Sequence, residues 1–188
     1  MAGDSSGNGR NGTLVNNPVW TIGKIGGALQ FDGNASYVSV GDIPAPTSLT
    51  LEAWIFPGTA TGGDHIILSK NNSEYDFRLL NEGTLSGSAG GNALTDTSFN
   101  FYDAAHANQW YHVVYTFDKA AGVHALYRNG VLVASGANTT SIVDTSTPLW
   151  IGRQSQYNFG SFLGKIDSVR IYSRALTASE VLANYNGG

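Results

Sequence analysis

The sequence predicts an all-β fold, a two-sheet antiparallel β-sandwich (jelly roll) with one short C-terminal helix. Three observations carry this prediction. Short apolar or alternating segments recur along the chain and are separated by turn residues, the period-two pattern of strands buried on one face. Glycine supplies 24 of 188 residues while charged residues make up 13%, a composition of many tight turns and few solvated faces. Helical spacing occurs once, near the C-terminus. Eleven or so strands with one helix imply a sandwich or barrel. Residues 1–188 are expected to form a single domain, long enough to bury a core, and no repeat of 20–50 residues suggests a propeller or solenoid.

Taken in order, the predicted strands are residues 28–31, 37–40, 49–56, 65–70, 75–80, 99–102, 111–118, 124–128, 131–134, 149–153 and 165–172. Asp32-Gly33-Asn34 links the first two, with side chains that stabilise turns. Residues 58–63 and 86–91 are glycine-rich and are expected to be mobile loops. Asn129-Gly130 is the strongest hairpin signal, because both residues tolerate the positive φ of a type I′ turn. Thr177 and Glu180 form a capping box. Val181, Leu182 and Tyr185 then fall on one face of a helix of about two turns, ended by Asn186-Gly187-Gly188.

Composition removes several function classes. A net charge of −4 with no Lys/Arg cluster argues against nucleic acid and anionic membrane partners. The absence of cysteine removes disulfides, thiol catalysis and thiolate metal sites together. No apolar run approaches the ~18 residues of a membrane span. The N-terminus has neither the charged nor the apolar region of a signal peptide, and Met1-Ala2 running straight into a polar loop suggests a module cut from a larger protein. N-x-S/T triplets at Asn11, Asn34, Asn71 and Asn138 are glycan acceptors only in a eukaryotic secreted protein. A chain this rich in Gly, Asn, Ser and Thr produces them by chance.

The N-terminal GNGRNG, Gly7–Gly12, matches G-x-G-x-x-G letter for letter. A dinucleotide fingerprint needs a strand before the glycines and a helix after them. Here only MAGDSS precedes Gly7, and Thr13-Leu14-Val15-Asn-Asn-Pro follows, so the phosphate reading fails. Asp4, Ser6 and Asn8 followed by Gly9 copy the first half of a calcium loop, in which alternate oxygen-bearing side chains wrap a hard cation. Loop position 12 is Val15 rather than a bidentate carboxylate, so this is no EF-hand. Any missing carboxylate must come from far along the chain. The alternative is a polar terminal turn held by Asx-type hydrogen bonds.

The stretches ALQFDG and YVSV (28–40), SLTLEAWIFP (48–57), WYHVVYTFD (110–118), LYRNGVLVASG (126–136), LWIGRQ (149–154) and GKIDSVRIYSRALTASEV (164–181) resemble the laminin G-like jelly roll of the concanavalin A-like lectin/glucanase superfamily. The resemblance runs from Asp4 to Asn184 and is most specific in G-x-I-D-x-V-R-I-Y-x-R-A-L. It is strongest to bacterial modules appended to secreted polysaccharide-active enzymes and adhesins. It implies an extracellular or cell-surface protein with a polysaccharide or glycan partner and no membrane insertion. It also implies a calcium ion shared by Asp4 of the N-terminal loop and Asp167 of the G-x-I-D motif, with Asn8 or Asn11 and loop carbonyls completing the shell. Such oxygen-only ligands suit calcium over zinc or copper. The ion's implied role is structural, pinning the first residues to the last strand.

Laminarinase-type hydrolases of that superfamily carry E-x-D-x-x-E on one strand. Glu74-Tyr-Asp76-Phe-Arg-Leu79 is the nearest approach, with Leu79 in the third place. Two carboxylates about 5–5.5 Å apart are the minimum for retaining hydrolysis, and the broken motif argues against it. His65, His106, His112 and His124 lack metal-ligand spacing, and no nucleophile elbow is present. The expectation is therefore a binding module with no catalytic residues. Candidate ligand-binding residues are Tyr75, Asp76 and Arg78 on one strand, then Arg153, Gln154, Tyr157 and Asn158 after LWIG, with Glu52 and Lys70 on strands that could face the same groove. Trp54, Trp110, Phe117 and Trp150 sit among alternating apolar residues and are assigned to packing. Arg170 and Arg174 are assigned structural hydrogen bonds, and His112 a half-buried strand position. The alternative function is a protein-binding or architectural adhesion or spacer module without sugar affinity, and the two readings divide on whether an aromatic side chain stands exposed in the groove.

Overall fold

A computed structural model describes residues 1–59, 62–155, 157 and 159–187. Its strands are β1 (Thr13–Val15), β2 (Val19–Ile22), β3 (Gly27–Asp32), β4 (Tyr37–Gly41), β5 (Leu49–Pro57), β6 (His65–Ser69), β7 (Tyr75–Leu79), β8 (Leu85–Ala89), β9 (Asn92–Asp96), β10 (Tyr111–Asp118), β11 (Val123–Arg128), β12 (Val131–Ala137), β13 (Leu149–Ile151) and β14 (Leu163–Tyr172). They are followed by helix α1 (Ala178–Gly187). One sheet has the order β1-β4-β13-β6-β7-β8-β9 and the other β12-β11-β10-β5-β14-β3-β2. Neighbours in both are antiparallel. The all-β sandwich with a single short helix is as the sequence predicts.

Alternation along each strand decides which side chains meet between the sheets. Tyr75, Phe77 and Leu79 of β7, Leu51, Ala53 and Ile55 of β5, and Val113, Tyr115 and Phe117 of β10 all point inward and are fully buried. The outer face of the first sheet therefore carries Asp76 and Arg78, which pair across strands with Ser88 and Ser86. The outer face of the second carries Thr50, Glu52 and Trp54, and α1 lies over it. Thr177 caps that helix as foreseen: the Glu180 N–H donates to Thr177 Oγ1 (3.3 Å), and the Thr177 N–H to Glu180 Oε2 (2.8 Å). Val181 is buried against Val114, Tyr127 and Leu176. The helix runs ten residues rather than two turns, and Gly188 lies outside the described residues.

Four strands were not legible in the sequence, and one predicted strand is absent. β1 and β2 have only three and four residues, too short to show a period. The 86–91 segment is a hairpin rather than a mobile loop: β8 and β9 are joined by Gly90 and Gly91, at φ 61° and 76°. Gly87 in β8 faces the ring of Tyr115, and a Cβ there would collide with that ring, so this strand has glycine at an inward position. Residues 99–102 form no strand. Their rings close one end of the core, with Phe101 buried against Phe99 and Tyr111, while Asn100 Oδ1 accepts the Tyr102 N–H in a local turn. Asp32-Gly33-Asn34 does join two strands, but β3 and β4 belong to opposite sheets, so this turn crosses the sandwich at its end. Asn71 and Asn138, two of the N-x-S/T positions, are buried.

Candidate functional site

At the end of the sandwich where β3 crosses to β4, three loops enclose a pocket of about 330 Å³ lined by Asp32, Asn34, Thr59, Asp64, His65, Phe159 and Ser161, among other residues. Each wall has an identifiable support. Asp32 Oδ1 accepts the N–H groups of Asn34, Ala35 and Ser36 (3.0–3.1 Å) and the Ser36 hydroxyl (2.6 Å). Partial burial opposes ionisation, but these donors together hold the Asp32 carboxyl well below the usual carboxylate range. Ser161 Oγ donates to the Asn34 carbonyl at 2.6 Å, tying the third loop to the first. Asp64 accepts the Asn81 N–H at 3.1 Å, and its other oxygen lies 3.3 Å from Arg78 Nη1. His65 Nδ1 accepts the Leu163 N–H at 3.2 Å, which assigns the ring proton to Nε2. Burial lowers its pKa, opposed by Asp64, so at neutral pH the imidazole is uncharged.

The loop after β13 is anchored by Gln154, which is wholly buried. Its side chain bonds Ser69 and Asn72 closely and reaches Asp76 Oδ2 at 3.4 Å. The Gln154 N–H donates to the Phe159 carbonyl at 3.2 Å, closing the loop. On it Tyr157 and Phe159 stack with centroids 6.1 Å apart and planes at 22°. They are 51% and 44% exposed, a large apolar surface standing in solvent beside a polar pocket. Asn158 lies outside the described residues. On the other flank of the 32–36 loop, Tyr37 and Trp150 stack at 4.1 Å. Arg153 stands over the Tyr37 ring and donates to the Ala35 carbonyl.

Asp76 lies beneath this loop, 2% exposed, with Oδ1 lacking a hydrogen-bond partner. Burial raises its pKa to about 6, against the lowering influence of Arg78 at 3.6 Å. The structure thus brings Asp76, Arg78, Arg153, Gln154 and Tyr157 of the sequence candidates to one end of one sheet. It does not bring Tyr75, Lys70 or Glu52 there. Tyr75 points inward, because alternation puts it on the core face with Phe77. Lys70 is wholly buried, its ammonium held by Glu74 (2.6 Å), Asp42 (3.1 Å), Asp144 (3.2 Å) and the Thr145 carbonyl (2.9 Å). Glu52 belongs to the opposite sheet, beneath α1, where it accepts from His112 (3.1 Å), Arg170 (2.8 Å) and Asn184 (2.8 Å).

The other assignments divide in the same way. Arg170 is structural, and so is Arg174, which pairs bidentately with Glu180 (2.7 and 2.9 Å). Phe117 is core, while Trp54 is buried under α1 against Tyr185. Trp110 meets Phe56 edge to face. Trp150 is not core: it pairs with Ser69 and Ser39 on the outer face. His112 is fully rather than half buried. Asp64 and Ser161 were missed, for loop residues have no periodicity to mark them.

The N-terminal loop closes on Asp4, which accepts from the N–H groups of Ser6 (2.8 Å) and Arg10 (2.9 Å) and from the Ser6 hydroxyl (2.9 Å). Asn11 Oδ1 accepts the Asp4 N–H, and Asn8 donates to Ser6 Oγ. Asp167 stands at a bulge in β14, accepting the Ile25 N–H (2.8 Å) and the Ser168 hydroxyl (3.0 Å). Both carboxylates line one cleft of about 690 Å³ between the edges of the two sheets. Each closes its own loop, and among the described residues no three His, Cys, Asp or Glu side chains group as a metal site.

With this geometry in hand, residues 32–182 match the family model Laminin_G_3, described as concanavalin A-like lectin/glucanases superfamily. Among curated proteins none matches the chain in sequence. Solved structures of similar fold include the binding domain of Paraclostridial Mosquitocidal Protein 1, 21% identical with a TM-score of 0.79, covering 98% of this chain and 49% of that one. Domain 4 of AbnA, an extracellular arabinanase from Geobacillus stearothermophilus, in complex with arabinotriose, is 24% identical with a TM-score of 0.73, covering 96% of this chain and 90% of that one. The binding domain of botulinum neurotoxin serotype D is 16% identical with a TM-score of 0.72, covering 95% and 47%. The chain thus spans about half the length of the two toxin domains. No helix among the described residues is long and apolar enough to cross a membrane.

Proposed function

The chain belongs to the concanavalin A-like lectin/glucanases superfamily, and we propose that it is a non-catalytic carbohydrate-binding module of a larger extracellular protein. One observation carries the reading: the exposed Tyr157–Phe159 pair stands beside a pocket whose polar groups converge. Sugars present apolar ring faces, which stack on aromatics, and hydroxyls, which need acceptors held in place. Asp64 and Asn34 supply such acceptors on fixed loops. The arabinotriose complex of the arabinanase domain supports the reading by fold analogy alone. Absence of catalysis is supported by Glu74 and Asp76. Both are sealed from solvent, and Glu74 has one oxygen on Lys70 and the other on Thr145.

Calcium is part of the same proposal. Asp4 and Asp167 face one cleft, both retain uncommitted lone pairs, and Asn8 and Asn11 add amide oxygens of the hard type that calcium takes. Bound there, calcium supplies a cross-link between the N-terminal loop and β14. The residues do the rest themselves: Asp4 shapes its loop and Asp167 holds the Ile25 N–H.

The test is a polysaccharide panel measured with the wild type and Phe159→Ala, in calcium and in chelator. Truncating an aromatic hot spot costs about 2 kcal/mol or more, so the variant should bind at least about ten-fold more weakly. Equal binding by both proteins removes this site. A folded wild type silent toward every polysaccharide favours the adhesion or spacer role.

A further inference from the structure

We infer that this pocket selects uncharged sugars and excludes uronic acids and sulfated or phosphorylated glycans, an inference that rests on the sugar-binding reading above. The charge on the pocket's described lining is negative. Asp32 and Asp64 are the charged side chains among the lining residues, and Asn34, Thr59 and Ser161 add only neutral dipoles. His65 brings no positive charge, since its Nδ1 is committed as an acceptor from Leu163 and burial disfavours protonation. Asp32 stays ionised because four donors converge on one of its oxygens.

The nearby cations do not reverse this. Arg78 reaches Asp64 at 3.3 Å and Asp76 at 3.6 Å, so one guanidinium is shared between two carboxylates and does not itself line the pocket. Arg153 is directed to the Ala35 carbonyl and the Tyr37 ring on the other flank of the 32–36 loop. Recognition of a carboxylate or sulfate ester calls for a guanidinium or ammonium presented to the ligand. Here an anionic sugar would meet two fixed negative charges at close range. A neutral sugar is treated oppositely: its hydroxyls donate charge-assisted hydrogen bonds to those carboxylates.

The experiment compares neutral arabinan, galactan and β-glucan with polygalacturonate and chondroitin sulfate, by titration at low and at high salt, using wild type, Phe159→Ala and Asp64→Asn. The expected result is binding to a neutral polymer that Phe159→Ala weakens, and anionic polymers at least about ten-fold weaker at low salt. That gap should narrow at high salt, where like-charge repulsion is screened, and in Asp64→Asn, which also weakens the neutral polymer. Polygalacturonate or chondroitin sulfate bound as tightly as any neutral polymer, and lost in Phe159→Ala, overturns the selectivity but keeps the site. Binding indifferent to Phe159→Ala, or no binding at all, overturns the site and the selectivity with it.

Discussion

Replacing Asp76 by Asn should stabilise the protein at neutral pH and do nothing of the kind in acid. Asp76 is 2% exposed, one oxygen has no hydrogen-bond partner, and burial raises its pKa to about 6. In the unfolded chain an aspartate titrates near 3.9. The native state therefore binds the extra proton between about pH 4 and pH 6, and native stability from this residue falls as pH rises through that window. Above it the ionised carboxylate is a cost of about two pK units, at most about 3 kcal/mol. Below pH 4 it is protonated in both states and costs nothing. Asn removes the charge and keeps the shape, and Arg78 retains Asp64 at 3.3 Å. Urea unfolding at pH 7.5 should place the variant about 1–3 kcal/mol above wild type at unchanged m-value, and at pH 3.5 at parity or below. A difference of the same size and sign at both pH values would falsify the account of a buried, under-solvated carboxylate.

Lys70→Met should cost about 3–5 kcal/mol in the same assay, because it leaves Glu74, itself fully buried, as an uncompensated charge. The Lys70→Met/Glu74→Leu pair should recover most of that loss, and a single variant within about 1 kcal/mol of wild type would mean that the cage is slack. Asp167→Ala should lose about 1–3 kcal/mol from the orphaned Ile25 N–H, a drop of about 2–4 °C in Tm per kcal/mol. If calcium raises the wild-type Tm, the variant should not respond; identical responses to calcium and chelator in both proteins would leave Asp167 with the loop-holding role only. Glu52→Ala should loosen α1, since it removes the acceptor of His112, Arg170 and Asn184. Burial opposes ionisation of Glu52, yet those donors hold its pKa below the usual value. Its contribution is therefore present above about pH 4.5 and lost as pH falls further. Amide exchange in α1 reads this out, and protection unchanged in the variant would contradict it.

What the sequence reveals of this site follows from what strands and loops encode. Asp76 and Arg78 were legible because a period of two fixes which strand residues share a face, and Glu74-Tyr-Asp76-Phe-Arg78 shows that alternation in five letters. The same rule puts Tyr75, one residue before Asp76, on the opposite, core side of the sheet with Phe77, so grouping it with Asp76 and Arg78 ran against the alternation. It could not separate Glu52 from Lys70, since alternation within a strand says nothing of which sheet the strand joins. The pairing of β5 with β10 and β14, and of β6 with β13 and β7, is set by long-range packing. The pocket itself was hidden for a further reason. Asp64 and Phe159 are about a hundred positions apart in a chain where both neighbourhoods are rich in glycine and polar residues. Among the bonds that bring their loops together, the Ile66 N–H donates to the Gly160 carbonyl and the Leu163 N–H to His65 Nδ1.

The two carboxylates that copy a hydrolase motif make the complementary point about function. Residue type and spacing put Glu74 and Asp76 on one face, as catalysis requires, but their surroundings give them opposite work. Glu74 is neutralised by an ammonium held in the same cage, while Asp76 is buried under the root of the loop that bears Tyr157 and Phe159. Both are buried. The carboxylates that line the pocket, Asp32 and Asp64, belong to no hydrolase motif. Chemistry at this end of the sandwich is therefore decided by which acid the loops leave uncovered, and that is a property of the fold's ending rather than of the strand that carries the familiar pattern.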